Sequence, residues 1–442
     1  MDILQLIHKV TWPDLPLVVQ QQARRCLLDT LGAALGGRKT AVAAIMYDYA
    51  ATVYGGNGAH LWWDGRPVSP PGAALAHAMT IDSLDIHDGH PLTKGHAGAA
   101  VVPALFALLR DDQSISGEEL LTRLAVGYEI ALRAGITLHA TACDYHTSGA
   151  WNALGCAAIG ARALGLTSEQ TRHALCIAVY YGPRSQMMRC IDHPAMVKDG
   201  TGWGAMTGVS AALLAQQGFT GAPAVTVESP EAAPYWRTLG EGWEMLQQYF
   251  KPHAVCRWAQ PAIEAAVALQ HSNGIQSTAI EQVVVRTFHN AVRLNMRRPQ
   301  DSDQAQYSLP FPVAAALVYG KLGGSELTGA ALTDPAVLAL VDKVVLVEDD
   351  AFTAQFPARR FAQVTMTTTE GRRYVSPATE ARWDGADPPT DEDLRAKFRW
   401  LAAESLPAAV AADLEHAIWH CAAAPTVDQF VKLLTHNNWA QL

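Results

Sequence analysis

Apolar side chains recur at Val19, Ala23, Cys26, Leu27, Leu31, Ala34 and Leu35, three or four residues apart, which predicts a helix over 16–35. Pro16 suits its first turn, and Gly36 and Gly37 are expected to stop it. Ser116-Gly-Glu-Glu119 and Thr167-Ser-Glu-Gln170 have the spacing of capping boxes, each before a periodic apolar run. Residues 150–164 and 201–217 carry Ala and Gly at helical spacing. Small side chains let helix axes approach closely, so both read as buried central helices.

The texture changes near residue 250. Val283 to Val285 and Val344 to Val347 are β-branched runs that predict strands. Phe361 to Thr368, the turn Glu370-Gly371 and Arg372 to Val375 read as a hairpin. Helical patterns at 258–272, 308–320 and 391–404 lie between and after these strands, and Leu401, Val410, Leu414, Ile418, Phe430 and Leu434 continue the helical texture to the end. The expected fold is mainly α. A large helical domain spans 1–250 and is completed by 391–442, and a smaller α+β lid domain spans 251–390. The Pro-rich run DGADPPTDED at 384–393 marks the second boundary.

Against this apolar background, residues 82–98 stand out. They hold Asp82, Asp85, Asp88, His87, His90, His96 and Lys94 in a Gly-interrupted segment directly before the run AAVVPALFALL. A core cannot bury so many charges unpaired. The segment therefore reads as a site mounted at the start of a buried helix, whose N–H groups would be available to an anion. Further polar clusters precede other helices: Cys143 to Gly149 with Tyr145 and His146, Arg184 to Arg189, Met196 to Trp203 with Lys198, Lys251 to Arg257, and Gln304 to Ser308.

Composition narrows the function. Charged residues make up only 17% of the 442-residue chain, which suggests extra burial in a subunit interface. The net charge of −9 gives nucleic-acid binding no electrostatic support. No apolar run reaches the ~20 residues of a membrane span, and the N-terminus lacks the pattern of a signal peptide, so a cytoplasmic protein is expected. The seven cysteines are scattered without a CxxC pair and read as reduced core thiols, with Cys190 and Cys256 nearest to polar clusters. His87, His90 and His96 with Asp85 or Asp88 offer metal-ligand chemistry, but the segment is broken by Gly and Pro and no HExxH accompanies it. No metal and no cofactor is expected. Neither a P-loop, a GxGxxG after a strand nor a GxSxG elbow is present.

In this order the clusters resemble the MmgE/PrpD family. The resemblance rests on LLDTLGAALGG at 27–37, Asp85 to Gly98, GYEIALRAG at 127–135 and HTSGAWNALGCAA at 146–158. It continues in VKDGTGWGAMTGVSAALLAQQGFTGAP at 197–223, KPHAVCRWAQPAIEAA at 251–266 and QYSLPFPVAAAL at 306–317. It implies a homodimer with a metal-free site between a helical and a lid domain. By position it implies site roles for Asp85, His96, His146, Lys198 and Lys251, and for the patch from Tyr307 to Phe311. Dehydratase-like members of the family carry Asp-Asp-Thr where this chain has His87-Asp88-Gly89, and Tyr145 adds a phenol beside His146.

The family's reactions remove a proton, or CO₂, at a carbon beside a carboxylate, and the resulting negative charge needs cations and hydrogen-bond donors. Lys198, Tyr145, His146, His96 and Asp85 are the expected catalytic groups. Lys251, Arg184, Arg189, His90 and Tyr307 are the expected substrate ligands, the arginines by bidentate contacts to carboxylates. The missing Thr and the added Tyr point to an epimerase of a dicarboxylate-type amino acid, iminodisuccinate-like, working by proton abstraction and return. The alternative is a dehydratase of a 2-methylcitrate-like hydroxy acid. A reading of another class is a non-catalytic polycarboxylate-binding protein.

Overall fold

The computed structural model describes residues 1–109 and 114–436. Most of its length is helix, as the 3.6-residue periodicity predicts. The helix Leu17–Gly37 forms as expected but starts and stops differently. Pro16 is its N-cap, and the helix runs through Gly36 and Gly37. These glycines serve close packing. A Cβ on Gly36 would lie 2.8 Å from Leu401 Cδ2, and one on Gly37 would collide with the Thr80 carbonyl oxygen. The neighbours that come this close are the helices Asp391–Ala402 and Pro70–Asp82.

The helix Asp391–Ala402 thus packs against Leu17–Gly37. Its Lys397 ammonium donates to Asp29 Oδ1 at 2.6 Å and to the Ile86 carbonyl at 2.7 Å. The sequence end therefore braces residues 82–98 from behind. The helix has a complete capping box from Thr390 and Asp393, and Thr167 with Gln170 forms another. At Ser116 only the forward half is made, from Glu119 N–H to the Ser116 hydroxyl.

Helices Gly149–Ala163 and Thr201–Gln216 pack on each other through their small residues. Thr201–Gln216 is not buried all round, contrary to expectation. Trp203 and Leu214 lie on an exposed face.

The described residues form six strands. A short hairpin, β1 (Gly55–His60) with β2 (Pro67–Val68), carries no apolar alternation and was not anticipated. The expected strands form one sheet in the order β4-β3-β5-β6, with β3 at Ile280–Thr287, β4 at Val344–Glu348, β5 at Ala362–Thr368 and β6 at Arg373–Val375. β3 and β4 run parallel, with Val283 opposite Val344. β5 and β6 are the anticipated hairpin, with Met366 opposite Tyr374 and Gly371 at φ +78° in the turn. Every second residue of β5 is buried, and that face packs on the helix Gln260–Asn273. Among the described residues no helix is long and apolar enough to cross a membrane.

Candidate active site

Residues 82–98 form a buried, irregular connection between the helices Pro70–Asp82 and Gly98–Ala107. Its backbone is held in unusual conformations. Asp85 and Lys94 both have positive φ, +48° and +51°, and Lys198 on the facing loop has +48°. Non-Gly residues in this region cost free energy and cluster at functional sites.

These loops close around a narrow cleft lined by Asp85, Lys94, His96, Tyr145, Tyr249, Cys256, Arg257, Tyr307 and Arg360, with apolar walls from Met187, Ile191 and Trp258. On its floor Lys251 is wholly buried and donates to the Asp85 carboxylate and, at 2.5 Å, to the Asp85 carbonyl. Burial alone would push the Asp85 carboxyl up. The Lys251 ammonium outweighs it and holds the group below the usual carboxylate range.

His96 stands beside this pair. Its Nδ1 lies 2.6 Å from the Asp88 carbonyl oxygen, which can only accept, so Nδ1 carries the proton. The Nε2 lone pair then faces Asp85 Oδ1 at 3.6 Å. Burial, reinforced by the Lys251 charge, pushes the ring down to about 3, so the imidazole is neutral at ordinary pH. Two acceptors facing each other call for a hydrogen between them. This arrangement can take a proton from a bound molecule, and the adjacent carboxylate then stabilises the imidazolium.

The rest of the acidic segment is support. His87 bonds Asp82 at 3.1 Å through Nε2 and faces the Asp88 carbonyl through Nδ1. The Thr201 hydroxyl donates to the second Asp82 oxygen at 2.6 Å, and although burial pushes this carboxyl up, these partners bring it down to about 2. Asp88 accepts from Tyr128 and Gln248, yet burial and the nearby Asp29 charge raise it to about 6. Asp85, His87 and His96 lie close enough to surround a cation. Both His87 nitrogens and the Asp85 carboxylate already have partners, and the Lys251 ammonium beside them opposes a second positive charge.

Several expected residues sit elsewhere. His90 is fully buried against Glu244 Oε2 at 3.5 Å and does not line the cleft. Arg184 and Arg189 are exposed and do not line it either, because they belong to a surface turn and a short helix past it. His146 is buried but is not part of the lining, and its neighbour in charge is Arg184. Lys198 is fully buried behind Tyr307, paired with Asp303 Oδ1 at 2.6 Å and donating to Gln306 Oε1 at 2.6 Å. These partners fix its ammonium away from the cleft. The N–H of His96, expected to be open to an anion, is taken by Ser148 Oγ at 2.9 Å.

Tyr145 and Tyr307 do line the cleft, and burial holds both phenols well above their usual range, so both keep their protons. Tyr145 donates to the Lys94 carbonyl, while the Lys94 ammonium lies 4.4 Å from its ring centre. Of the two thiols nearest polar clusters, Cys256 lines the cleft and Cys190 does not; burial raises both, Cys256 to about 12, so neither is a thiolate at neutral pH.

Four lining residues were missed: Lys94, Tyr249, Arg257 and Arg360. Lys94 belonged to the recognised segment. Tyr249 explains Gly89, since a Cβ there would lie 2.5 Å from Tyr249 Cζ and 2.8 Å from His96 Nδ1. The phenol fills the space of the absent side chain, and burial raises its pKa too. Its hydroxyl has no hydrogen-bond partner among the described residues.

The fold and cleft define a mainly α, two-domain enzyme. The chain belongs to the MmgE/PrpD family: residues 1–242 match the MmgE/PrpD N-terminal domain and residues 253–422 the MmgE/PrpD C-terminal domain. It is similar to the cis-aconitate decarboxylase of Homo sapiens, with 28% identity over 88% of this chain and 84% of that one. It is also similar to the 2-methylcitrate dehydratase of Escherichia coli (strain K12), with 26% identity over 82% and 81%. A cis-aconitate decarboxylase-like protein of Aspergillus oryzae is 24% identical over 96% and 94%.

Proposed function

We propose that this enzyme moves a proton at the carbon next to a carboxylate of a small polycarboxylate, without a cofactor, and that the net reaction is epimerisation of a dicarboxylate-type amino acid such as iminodisuccinate. The observation that carries the reading is the neutral His96, whose Nε2 lone pair is 3.6 Å from Asp85. His96 takes the proton from carbon, and Asp85 stabilises the imidazolium. The electron pair left on carbon spreads into the adjoining carboxylate, where the cleft's cations meet it. The Tyr249 phenol, protonated and with a hydroxyl that has no hydrogen-bond partner among the described residues, returns a proton from the other side. The two groups then reset through solvent.

Two expected bases take other roles in this scheme. Lys198 orients Tyr307 and Gln306 from behind, and Tyr145 holds the Lys94 loop. A second reading is a hydro-lyase, with the same base and with the phenol protonating a departing hydroxyl. The names of the relatives favour it.

Proton NMR in D₂O with a panel of di- and tricarboxylates separates the readings. Epimerisation shows deuterium entering one carbon while both configurations appear and no alkene absorbance grows. Dehydration shows alkene absorbance and loss of the carbon-bound proton. Neither exchange nor alkene formation on any member of the panel would sink both.

A further inference from the structure

Two guanidiniums in the cleft carry unused hydrogen-bond donors. Arg257 and Arg360 are 6% and 7% exposed, so both are desolvated. Arg257 stacks on the Tyr249 ring, with its guanidinium carbon 4.3 Å from the ring centre, and its Nη2 pairs with Asp384 at 2.7 Å. Its Nη1 is buried with no partner. Among the described residues Arg360 donates to the Pro91 carbonyl, from Nη2 at 3.5 Å, and lies over the Phe356 ring with its guanidinium carbon 5.7 Å from the ring centre, while its Nε is buried with no partner. No carboxylate among the described residues pairs with Arg360.

An unpaired charge removed from water is costly, and folded chains rarely carry one without a compensating group. Here the imbalance is collective. Asp384 offsets Arg257 and Asp85 offsets Lys251, which leaves Arg360 and Lys94 uncompensated at the same cleft. The Lys94 ammonium is itself pushed down by partial burial and by the Arg360 charge, so the two cations oppose each other across the empty space. An anion with more than one oxygen would satisfy both orphaned N–H groups and relieve that repulsion. A carboxylate suits the planar fork of a guanidinium.

We infer that Arg360 and Arg257, with Lys94 beside them, form a subsite for a second carboxylate of the substrate, one that does not flank the reacting carbon. The inference rests on the polycarboxylate part of the proposed function and not on the net reaction. It also gives Tyr249 a second task, because the ring that carries the phenol also seats Arg257.

The test uses succinate and butyrate, which share four carbons and differ by one carboxylate, with inorganic phosphate as a third probe. Calorimetric binding to the full chain is expected to favour succinate over butyrate at least tenfold. R360Q should erase most of that preference, and R257Q should reduce it. H96Q should leave it intact, since it removes the base and not the subsite. R360K keeps the charge without the fork and should retain only part of the preference. It also decides the matter if R360Q does not fold. Phosphate binding as tightly as succinate, with the same dependence on Arg360, would overturn the carboxylate assignment. An unchanged preference in R360Q or R360K would overturn the subsite, while turnover of any polycarboxylate would leave the proposed reaction standing. Arg360-dependent succinate binding without turnover of any substrate would do the reverse.

Discussion

Asp88 offers a quantitative check on the electrostatics behind the base. Its carboxyl is buried, with Oδ2 accepting from Tyr128 at 2.8 Å and Gln248 at 2.9 Å and Oδ1 left without a partner. Burial and the Asp29 charge raise its pKa from 3.8 to about 6. A raised carboxyl binds protons more tightly in the folded chain than in the unfolded one. Stability therefore falls as pH rises from the unfolded pKa through the folded one. At ~1.4 kcal/mol per unit, the raised pKa costs about 3 kcal/mol at pH 8 and roughly half of that at pH 5, where most native molecules remain protonated.

Asp88→Asn removes this titration. Its amide oxygen still accepts from Tyr128 and Gln248, and the Asp88 backbone carbonyl still receives the His96 Nδ1 proton. Whatever the amide NH₂ costs beside the former Oδ1 is the same at both pH values. The variant should therefore gain about 1–2 kcal/mol on wild type between pH 5 and pH 8. For a chain of 442 residues that is a change of about 1.5 °C in the difference of melting temperatures. Thermal melts of both proteins at the two pH values read it directly. A difference in melting temperature that stays constant between pH 5 and pH 8, or grows in favour of wild type at pH 8, would refute the reasoning.

His96→Gln should lower turnover by roughly 10²–10⁴ while the chain stays folded, and near-wild-type turnover would remove His96 as the base. Lys198→Met should destabilise the chain by about 3–5 kcal/mol because it strands the buried Asp303 carboxylate, whereas Lys198→Met with Asp303→Leu should recover most of that loss on denaturant unfolding; equal losses in both would show that the pair is not what holds the loop. Iodoacetamide at neutral pH should label one native thiol, the exposed Cys143, and mass mapping of Cys256 or Cys190 as a second site would contradict their burial. Trp203, Leu214, Tyr180 and Tyr181 leave apolar surface uncovered, which is expected to be shared by two copies, and a monomer by sedimentation at micromolar concentration would remove that expectation.

The helices, the four-stranded sheet and the floor of the site were legible for one reason. In a chain this poor in charge, polar residues placed directly before apolar helices have no solvated face to occupy. That logic found Asp85, His96, Tyr145, Lys198, Lys251 and Tyr307, all of which are at or against the cleft. It could not tell a group that faces the cleft from one that braces it, because burial looks the same in sequence for both. Lys198 and His90 were placed in the first group and belong to the second. The same logic failed for arginine. Arg184 and Arg189 stand beside helices yet lie exposed, while Arg257, at the end of the polar cluster that starts at Lys251, and Arg360, outside every such cluster, are buried. What buries them is tertiary. Tyr249 comes under Arg257 only through its pairing with Gly89, 160 residues earlier, and Arg360 reaches Pro91 from the start of a strand 269 residues away. Gly89 had been read as the loss of a hydroxyl. In the folded chain it is the condition for a phenol and a guanidinium to stand beside His96, so one small residue in the catalytic loop changes which groups the cleft presents.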